Sequence, residues 1–294
     1  MIHRLPNDSY YAATARGLPV QPQLTGSMTA DVCVVGGGFT GLAAALACAE
    51  RGLRTVLVEA VRIGQGASGR NGGQMIPGLN VYARDLVALL GHDAAVALYR
   101  LAASARDRVH ARIARHDIAC DLRHGHIHLA AKARDMDDFA AEADFANAHL
   151  GPGSAAIIPA ADIGAHVGVS GYHGALLTPS GGHMHPLKYA EGLAAAALAA
   201  GVRMFEASRV TAVTDDATGT RVATAAGAVR AGHVILACDA ETDALAPSAG
   251  AQTMPVLNYI IATEPLAADR AQALIPSGAA VSDSRFVLNY FRLS

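Results

Sequence analysis

The sequence predicts an α/β fold: a largely parallel sheet in one domain, interleaved with an α+β domain built on a mixed or antiparallel sheet. Three observations carry this. Residues 30–35 form an apolar, β-branched run, followed by a glycine-rich turn and an Ala/Leu-rich stretch at 42–49. A second apolar run, 54–59, ends in Glu59. Beyond residue 84, helical and period-two patterns alternate to the end of the chain. Near-continuous apolar runs suit parallel strands covered on both faces, and the Ala/Leu stretch favours helix. A length of 294 residues fits about two domains, enough to bury roughly three-quarters of the unfolded surface.

The first strand leads into Gly36, Gly38 and Gly41 at the spacing G-x-G-x-x-G, with Phe39 and Thr40 inside it. In such a turn the first glycine permits a tight bend, and the second admits a pyrophosphate close to the backbone. The third lets the helix approach the strand, and the phosphates meet the positive helix N-terminus. Glu59 stands about 20 residues on, where a carboxylate can accept a ribose hydroxyl. A glycine turn between two core strands would leave that acid unexplained. A Rossmann-like dinucleotide site is therefore expected.

Residues 62–74 hold five glycines among Ser68, Arg70 and Asn71, with Gly72 and Gly73 near the end. A nicotinamide enzyme has little use for such a loop, although a nicotinamide dehydrogenase is a further reading. Successive backbone amides can form an anion nest, and Arg70 adds a charge-assisted contact to phosphate. The pattern suits FAD, whose pyrophosphate and ring need support from a second side.

With these stretches the sequence resembles the D-amino-acid-oxidase-like family of FAD-dependent amine oxidoreductases. The resemblance runs from residues 9–11, through 31–41 and 67–74, to 180–187 and 289–293, nearly the whole chain. It implies oxidation of a primary or secondary amine such as gamma-glutamylputrescine, with dioxygen or another acceptor taking the electrons. An N-methylated or D-amino acid is the alternative substrate; its carboxylate would need an arginine clamp, with Arg70, Arg123, Arg285 and Arg292 as candidates. The resemblance also implies that Val210 bonds the adenine through its backbone and that Ala237 and Cys238 end a strand beside the adenosine. Asp239 departs from the small or neutral residue usual there. Some relatives attach FAD through a histidine of the second loop; that loop carries Asn71 and no histidine, so noncovalent FAD is expected. His183, His185, Tyr290 and Arg292 are candidates to face the flavin or substrate. Family members continue past the position of Ser294, so a truncated member, or a non-catalytic FAD-binding remnant, is a further expectation.

Composition excludes other classes. A formal net charge of −2 gives no footprint for nucleic acid. Cys33, Cys48, Cys120 and Cys238 are scattered, three within apolar runs, and read as small core residues in a reducing cytoplasm. No run reaches the ~18 apolar residues of a membrane span, and the first residues lack a signal-peptide form.

In chain order, residues 1–29 form an N-terminal arm with a short helix near Ser9. Residues 30–83 are the first part of the FAD-binding domain. Residues 84–180 are a helical and substrate-domain insertion, with amphipathic helices at 85–90 and 94–116, strands at 118–122 and 127–131, and a helix at 135–150. His124, His126 and His128 share the face of a strand, but Gly125 suggests a turn at His124. No acid or cysteine completes a ligand set, so no metal is expected. Residues 181–245 return to the FAD-binding domain: a turn at 180–182, then Pro186 opening a helix over 187–200 that Gly201 closes. Strands follow at 202–206, 210–213, 221–224 and 229, with a buried strand at 234–238. Residues 246–294 complete what is present of the substrate domain, with strands at 254–264 and 286–292. Alternation places Leu288, Tyr290 and Arg292 on one face of the last.

Overall fold

The computed structural model describes residues 9–76, 78–217, 219–242 and 245–294; the expected lead-in at 1–8 lies outside the described residues. Along the chain the elements are α1 (Tyr10–Thr14), β1 (Gly26–Val35), α2 (Phe39–Ala49), β2 (Thr55–Val58), β3 (Gln74–Met75), α3 (Ala83–Leu90), α4 (His92–Arg115), β4 (Arg123–Leu129), α5 (Asp135–Leu150) and β5 (Ala156–Pro159). There follow β6 (Gly174–His183), α6 (Pro186–Ala199), β7 (Arg203–Phe205), β8 (Val210–Asp216), β9 (Gly219–Thr224), β10 (Gly227–Leu236), α7 (Pro247–Gly250), α8 (Ala268–Leu274), β11 (Ala280–Asp283) and β12 (Tyr290–Phe291). The chain divides into two units: Met1–Asn71 with Ile118–Cys120 and Pro186–Ile261, and Gly72–Asp117 with Asp121–His185 and Ala262–Ser294. Each has its own mixed sheet, the α/β architecture expected from the sequence.

In the first unit the sheet order is β7-β2-β1-β10-β9-β8. The strands from β7 to β10 are mutually parallel, and β9 and β8 extend the sheet as an antiparallel meander. Cys33, Val35, Val56 and Val58 join Leu24, Val222 and Val229 in one buried cluster. Alternation turns Val34 and Leu57, both fully buried, to the opposite face. Helices α2 and α6 pack together, with the rings of Phe39 and Tyr189 edge to face at 5.3 Å. On α6 a Cβ at Gly192 would lie 2.2 Å from Ile118 Cγ2, so glycine there admits the Ile118 side chain.

In the second unit the order is β12-β11-β4-β6-β3, with β5 also paired to β6. Ile127, Leu129, Ile158, Val167 and Val281 fill one core cluster. His126 and His128 alternate with Ile127 and Leu129, and their rings meet at the Ser282 hydroxyl of β11, at 2.9 Å and 2.7 Å. The His128 ring lies 5.0 Å from that of Phe139 on α5. Burial, reinforced by the neighbouring His128, holds His126 down at about 4.

Several expected elements differ. Residues 118–122 are not a strand: positive φ at Asp117 (47°) and Asp121 (54°) bends the chain on both sides, and Ile118 and Cys120 are buried as an inserted turn. His124 lies within β4, where Gly125 (φ 96°) sits at a bulge between His124 and His126 rather than in a turn. Residues 180–182 continue β6, with Gly182 opposite His124 where a Cβ would meet the Arg123 carbonyl at 2.1 Å. Strand β10 runs unbroken to Leu236, short of the expected Cys238, and residues 234–238 are only half-buried, since β9 pairs with the strand no further than Ala231. Residues 254–264 form no strand among the described residues and are exposed. Only Tyr290 and Phe291 of the expected last strand join the sheet, because Asp283 folds the preceding residues into a loop. Its carboxylate accepts the Asn289 N–H (3.0 Å), the Asn289 side-chain amide (2.8 Å) and the Arg285 N–H (3.2 Å).

Three outcomes follow. Gly41→Ala, whose Cβ would meet the Gly36 carbonyl at 1.9 Å, costs about 3 kcal/mol or more in urea unfolding. Gly192→Ala is also destabilising, because the buried, β-branched Ile118 would meet the new Cβ through Cγ2 at 2.2 Å and through Cβ and Cγ1 at 3.1 Å; about 1 kcal/mol of gained helix propensity offsets part of that cost. The depressed folded-state pKa of His126 means that its stabilising share is complete above pH 6.5 and is lost as pH falls toward 4. Between pH 7.5 and 5 the loss is about 2 kcal/mol, and unfolding of His126→Gln measured at both pH values shows a shallower decline by that amount.

Candidate functional site

The first glycine turn joins β1 to α2. Gly36 has φ 110°, and a Cβ there would lie 2.4 Å from the Ala237 carbonyl oxygen. Its N–H donates to the Val58 carbonyl at 2.9 Å, which ties the turn to β2. Gly41 closes the turn, since only an absent side chain lets α2 ride over the Gly36 carbonyl. Gly38 caps α2 without a side chain, and the first turn of the helix holds no acid. The Phe39 N–H donates to Ser68 Oγ at 2.9 Å, and Thr40 is exposed beside it. One Glu59 oxygen accepts the Gly37 N–H at 2.7 Å and the other the Val61 N–H at 2.9 Å. A side-chain-free turn, a helix N-terminus without a carboxylate of its own and an acid at the next strand end fit the diphosphate and ribose of FAD.

In the second glycine loop Ala67–Gly69 form one turn of 3-10 helix. The amides of Gly69 and Arg70 donate within it, to Gly66 and Ala67, so they are not directed outward as a nest requires. Asn71 braces the loop by donating to the Ala67 and Ser68 carbonyls at 3.1 Å and 2.8 Å. The half-buried Arg70 side chain makes no hydrogen bond or ion pair among the described residues.

Val210 is buried at the start of β8, paired with Thr224. The Ala237 N–H donates to Val35 at 2.8 Å while its carbonyl oxygen overlies Gly36. Burial raises the Cys238 thiol pKa. Asp239 is exposed at φ 51°.

Five of the expected residues in the second unit come together. Arg292 Nε donates to the Gly72 carbonyl at 2.7 Å, and the Tyr290 ring covers Gly72, where a Cβ would lie 2.5 Å from Cε2. Gly73 (φ 71°) accepts the Met184 N–H at 2.8 Å. His183 is buried, with Nε2 3.1 Å from the Gly278 carbonyl and Nδ1 3.5 Å from an Arg292 nitrogen. Desolvation chiefly lowers its pKa to about 4, which fixes a neutral ring with its proton on Nε2. His185 is also buried.

Sequence reading missed four residues that set these loops. Gln74 donates to the Val281 and Phe291 carbonyls at 3.1 Å and 3.2 Å. Asp283 and Ser282 organise β11, and the buried Glu206 accepts the Ile63 N–H at 2.7 Å. An acid directly after an apolar strand, as at Glu59, was the available signal for Glu206. Among the described residues no group of His, Cys, Asp and Glu could hold a metal, and no helix is long and apolar enough to cross a membrane.

Residues 31–294 match the family described as FAD dependent oxidoreductase. The gamma-glutamylputrescine oxidoreductase of Escherichia coli K12 is 39% identical over 294 residues, 97% of this chain and 67% of that protein. The probable oxidoreductase OrdL of Haemophilus influenzae is 37% identical over 277 residues, 93% of this chain and 64% of that protein. The chain thus spans about two thirds of the length of these relatives. Among solved structures, L-proline dehydrogenase from P. horikoshii matches with a TM-score of 0.68 at 18% identity, over 93% of this chain and 68% of that one. Glycine oxidase from Geobacillus kaustophilus matches with a TM-score of 0.60 at 24% identity, over 76% and 58%; these two likenesses concern the fold. With the match running from Asp31 to Ser294, the chain belongs to the FAD-dependent oxidoreductase (DAO) family.

Proposed function

We propose that this chain forms the FAD-binding portion, and much of the substrate-binding portion, of an oxidoreductase acting on a primary or secondary amine of the gamma-glutamylputrescine kind. The observation that carries this reading is the 39% identity to an enzyme of that name across 97% of the chain. The Gly36–Gly38–Gly41 turn supports the cofactor half of the reading. FAD would supply the electron acceptor for oxidation of the C–N bond to an imine, which water hydrolyses; reoxidation falls to dioxygen or another acceptor.

The residues of this chain bind and position. The α2 amides and Gly38 receive the diphosphate, Glu59 the ribose, and Val210 and Ala237 flank the adenosine. Ser68, Arg70 and Asn71 approach from the second loop. The second loop carries neither histidine nor cysteine, which supports noncovalent attachment. His183 has both ring nitrogens engaged and so holds Arg292 and residue 278 in place instead of serving as a base. The same bookkeeping weakens the amino-acid reading, since two of its four arginine candidates are committed: Arg285 to Asp283 and Tyr172, and Arg292 to Gly72.

Anaerobic addition of gamma-glutamylputrescine to the FAD-loaded protein bleaches the flavin band, whereas sarcosine and D-alanine leave it in place; bleaching by either of those instead assigns the alternative substrate class. Acid precipitation releases all of the flavin into the supernatant. A yellow pellet would overturn noncovalent binding.

A further inference from the structure

Glu206 directly follows β7 and is 1% exposed. A carboxylate so placed must be held by donors, because an unpaired buried charge is strongly disfavoured. Three donors supply this, and they come from two distant segments. Oε2 accepts the Gln21 N–H of the N-terminal arm at 2.9 Å. Oε1 accepts the Ile63 N–H at 2.7 Å and Arg62 Nε at 3.2 Å, and Arg62 donates onward to the Leu18 carbonyl at 3.0 Å. The next residue, Ala207, has φ 48°, a strained conformation for alanine. Its N–H donates to Val61 and its carbonyl accepts from Gln23, both at 3.0 Å.

These bonds converge on the first glycine turn. The Gly64 N–H donates to the Gly37 carbonyl at 3.0 Å. Ile63 Cδ1 lies 2.6 Å from the place a Gly37 Cβ would take. The carboxylate that fixes Ile63 therefore also sets where the second glycine loop leaves the first.

We propose that Glu206 is a positioning residue for the cofactor: it locks residues 61–64 against the Gly36–Gly41 turn and makes arm residues 18–21 part of the same scaffold. Glu206 touches no phosphate or ring itself; it acts through Ile63, Arg62 and Gly64. The inference rests on the FAD reading only for its ligand. Its geometric content, one buried carboxylate holding two glycine loops in register, is independent of which dinucleotide binds.

The test compares Glu206→Gln with Ser208→Ala. The glutamine keeps the volume but turns an NH2 group toward a donor. Ser208→Ala removes the hydroxyl that accepts the Leu24 N–H at 2.8 Å and donates to the Glu206 backbone carbonyl at 2.7 Å, loosening the arm at Leu24 while leaving every partner of the Glu206 carboxylate in place. FAD is titrated by flavin fluorescence, and amide hydrogen exchange is followed in the apoprotein. Glu206→Gln weakens FAD about tenfold and speeds exchange in residues 36–41 and 61–66. Ser208→Ala lowers the melting temperature but leaves FAD affinity and both loops unchanged. Wild-type affinity and wild-type loop exchange in a folded Glu206→Gln overturn the proposal, as does equal weakening of FAD by both variants. Should Glu206→Gln fail to fold, Arg62→Met takes its place, with the same two readouts and a smaller expected effect in both. A wild-type protein that takes up no FAD sinks the cofactor reading, whereas loop exchange still decides whether Glu206 sets the two loops.

Discussion

The fold of the first unit depends on one close approach of backbone to backbone. Helix α2 crosses the end of β1 with Gly41 so near the Gly36 carbonyl that a Cβ would stand 1.9 Å from its oxygen, while Gly36 itself faces the Ala237 carbonyl. Three chain segments meet there without a side chain between them. That compactness brings the positive end of α2 to the carboxyl edge of four parallel strands, the place where an open α/β sheet offers a crevice to anionic ligands. At that edge the Phe39 N–H is bonded to Ser68 Oγ and the Glu59 carboxylate to the Gly37 and Val61 N–H groups.

Carboxylates then fix what the glycines leave free. Glycine turns lose more entropy on ordering than other residues, so a loop with five glycines needs anchors. Glu59 and Glu206 accept N–H groups from Gly37, Val61, Ile63 and Gln21. Each carboxylate compensates its desolvation with backbone donors, and each bond selects one loop conformation from many. In the second unit Asp283 does the same for residues 285–289, its carboxyl held down at about 2 by Asn289, Arg285 and Tyr172 despite opposing desolvation. One device, a carboxylate collecting backbone amides, thus recurs in both units.

This explains what could be read in advance. The G-x-G-x-x-G spacing, the acid at 59 and the 3.6-residue periodicity of 94–116 are local signals, and the turn and α4 appear where those signals put them. Strand β11 was not legible: residues 280–283 are short and become a strand by pairing with β12 on one side and, on the other, with β4, some 150 residues away in sequence. The apolar run at 254–264 reads as a strand by composition, yet a strand exists only where a ladder partner is present, and among the described residues it has none. Gly125 and residues 180–182 were misread as turns because glycine signals a turn and a strand bulge equally. Glu206 carried a signal, an acid closing an apolar strand, but its three donors are scattered over residues 21–63 and no local pattern joins them.

The arrangement of cations in the second loop and around Gly72 follows from the same accounting. Arg292 and Arg285 are fixed by carbonyl, carboxylate and phenol partners, and Arg62 by Glu206 and Leu18. Each is therefore part of the scaffold, since moving it to meet a ligand would strand its present acceptor. Arg70 is different: half-buried on the loop whose Ser68 hydroxyl meets the start of α2, it holds no acceptor among the described residues. A half-buried guanidinium keeps its head in water, and under the proposed FAD reading a diphosphate at the α2 N-terminus would offer it an anionic acceptor. The loop thus joins a scaffold whose other arginines are engaged to one, Arg70, whose side chain has no acceptor among the described residues.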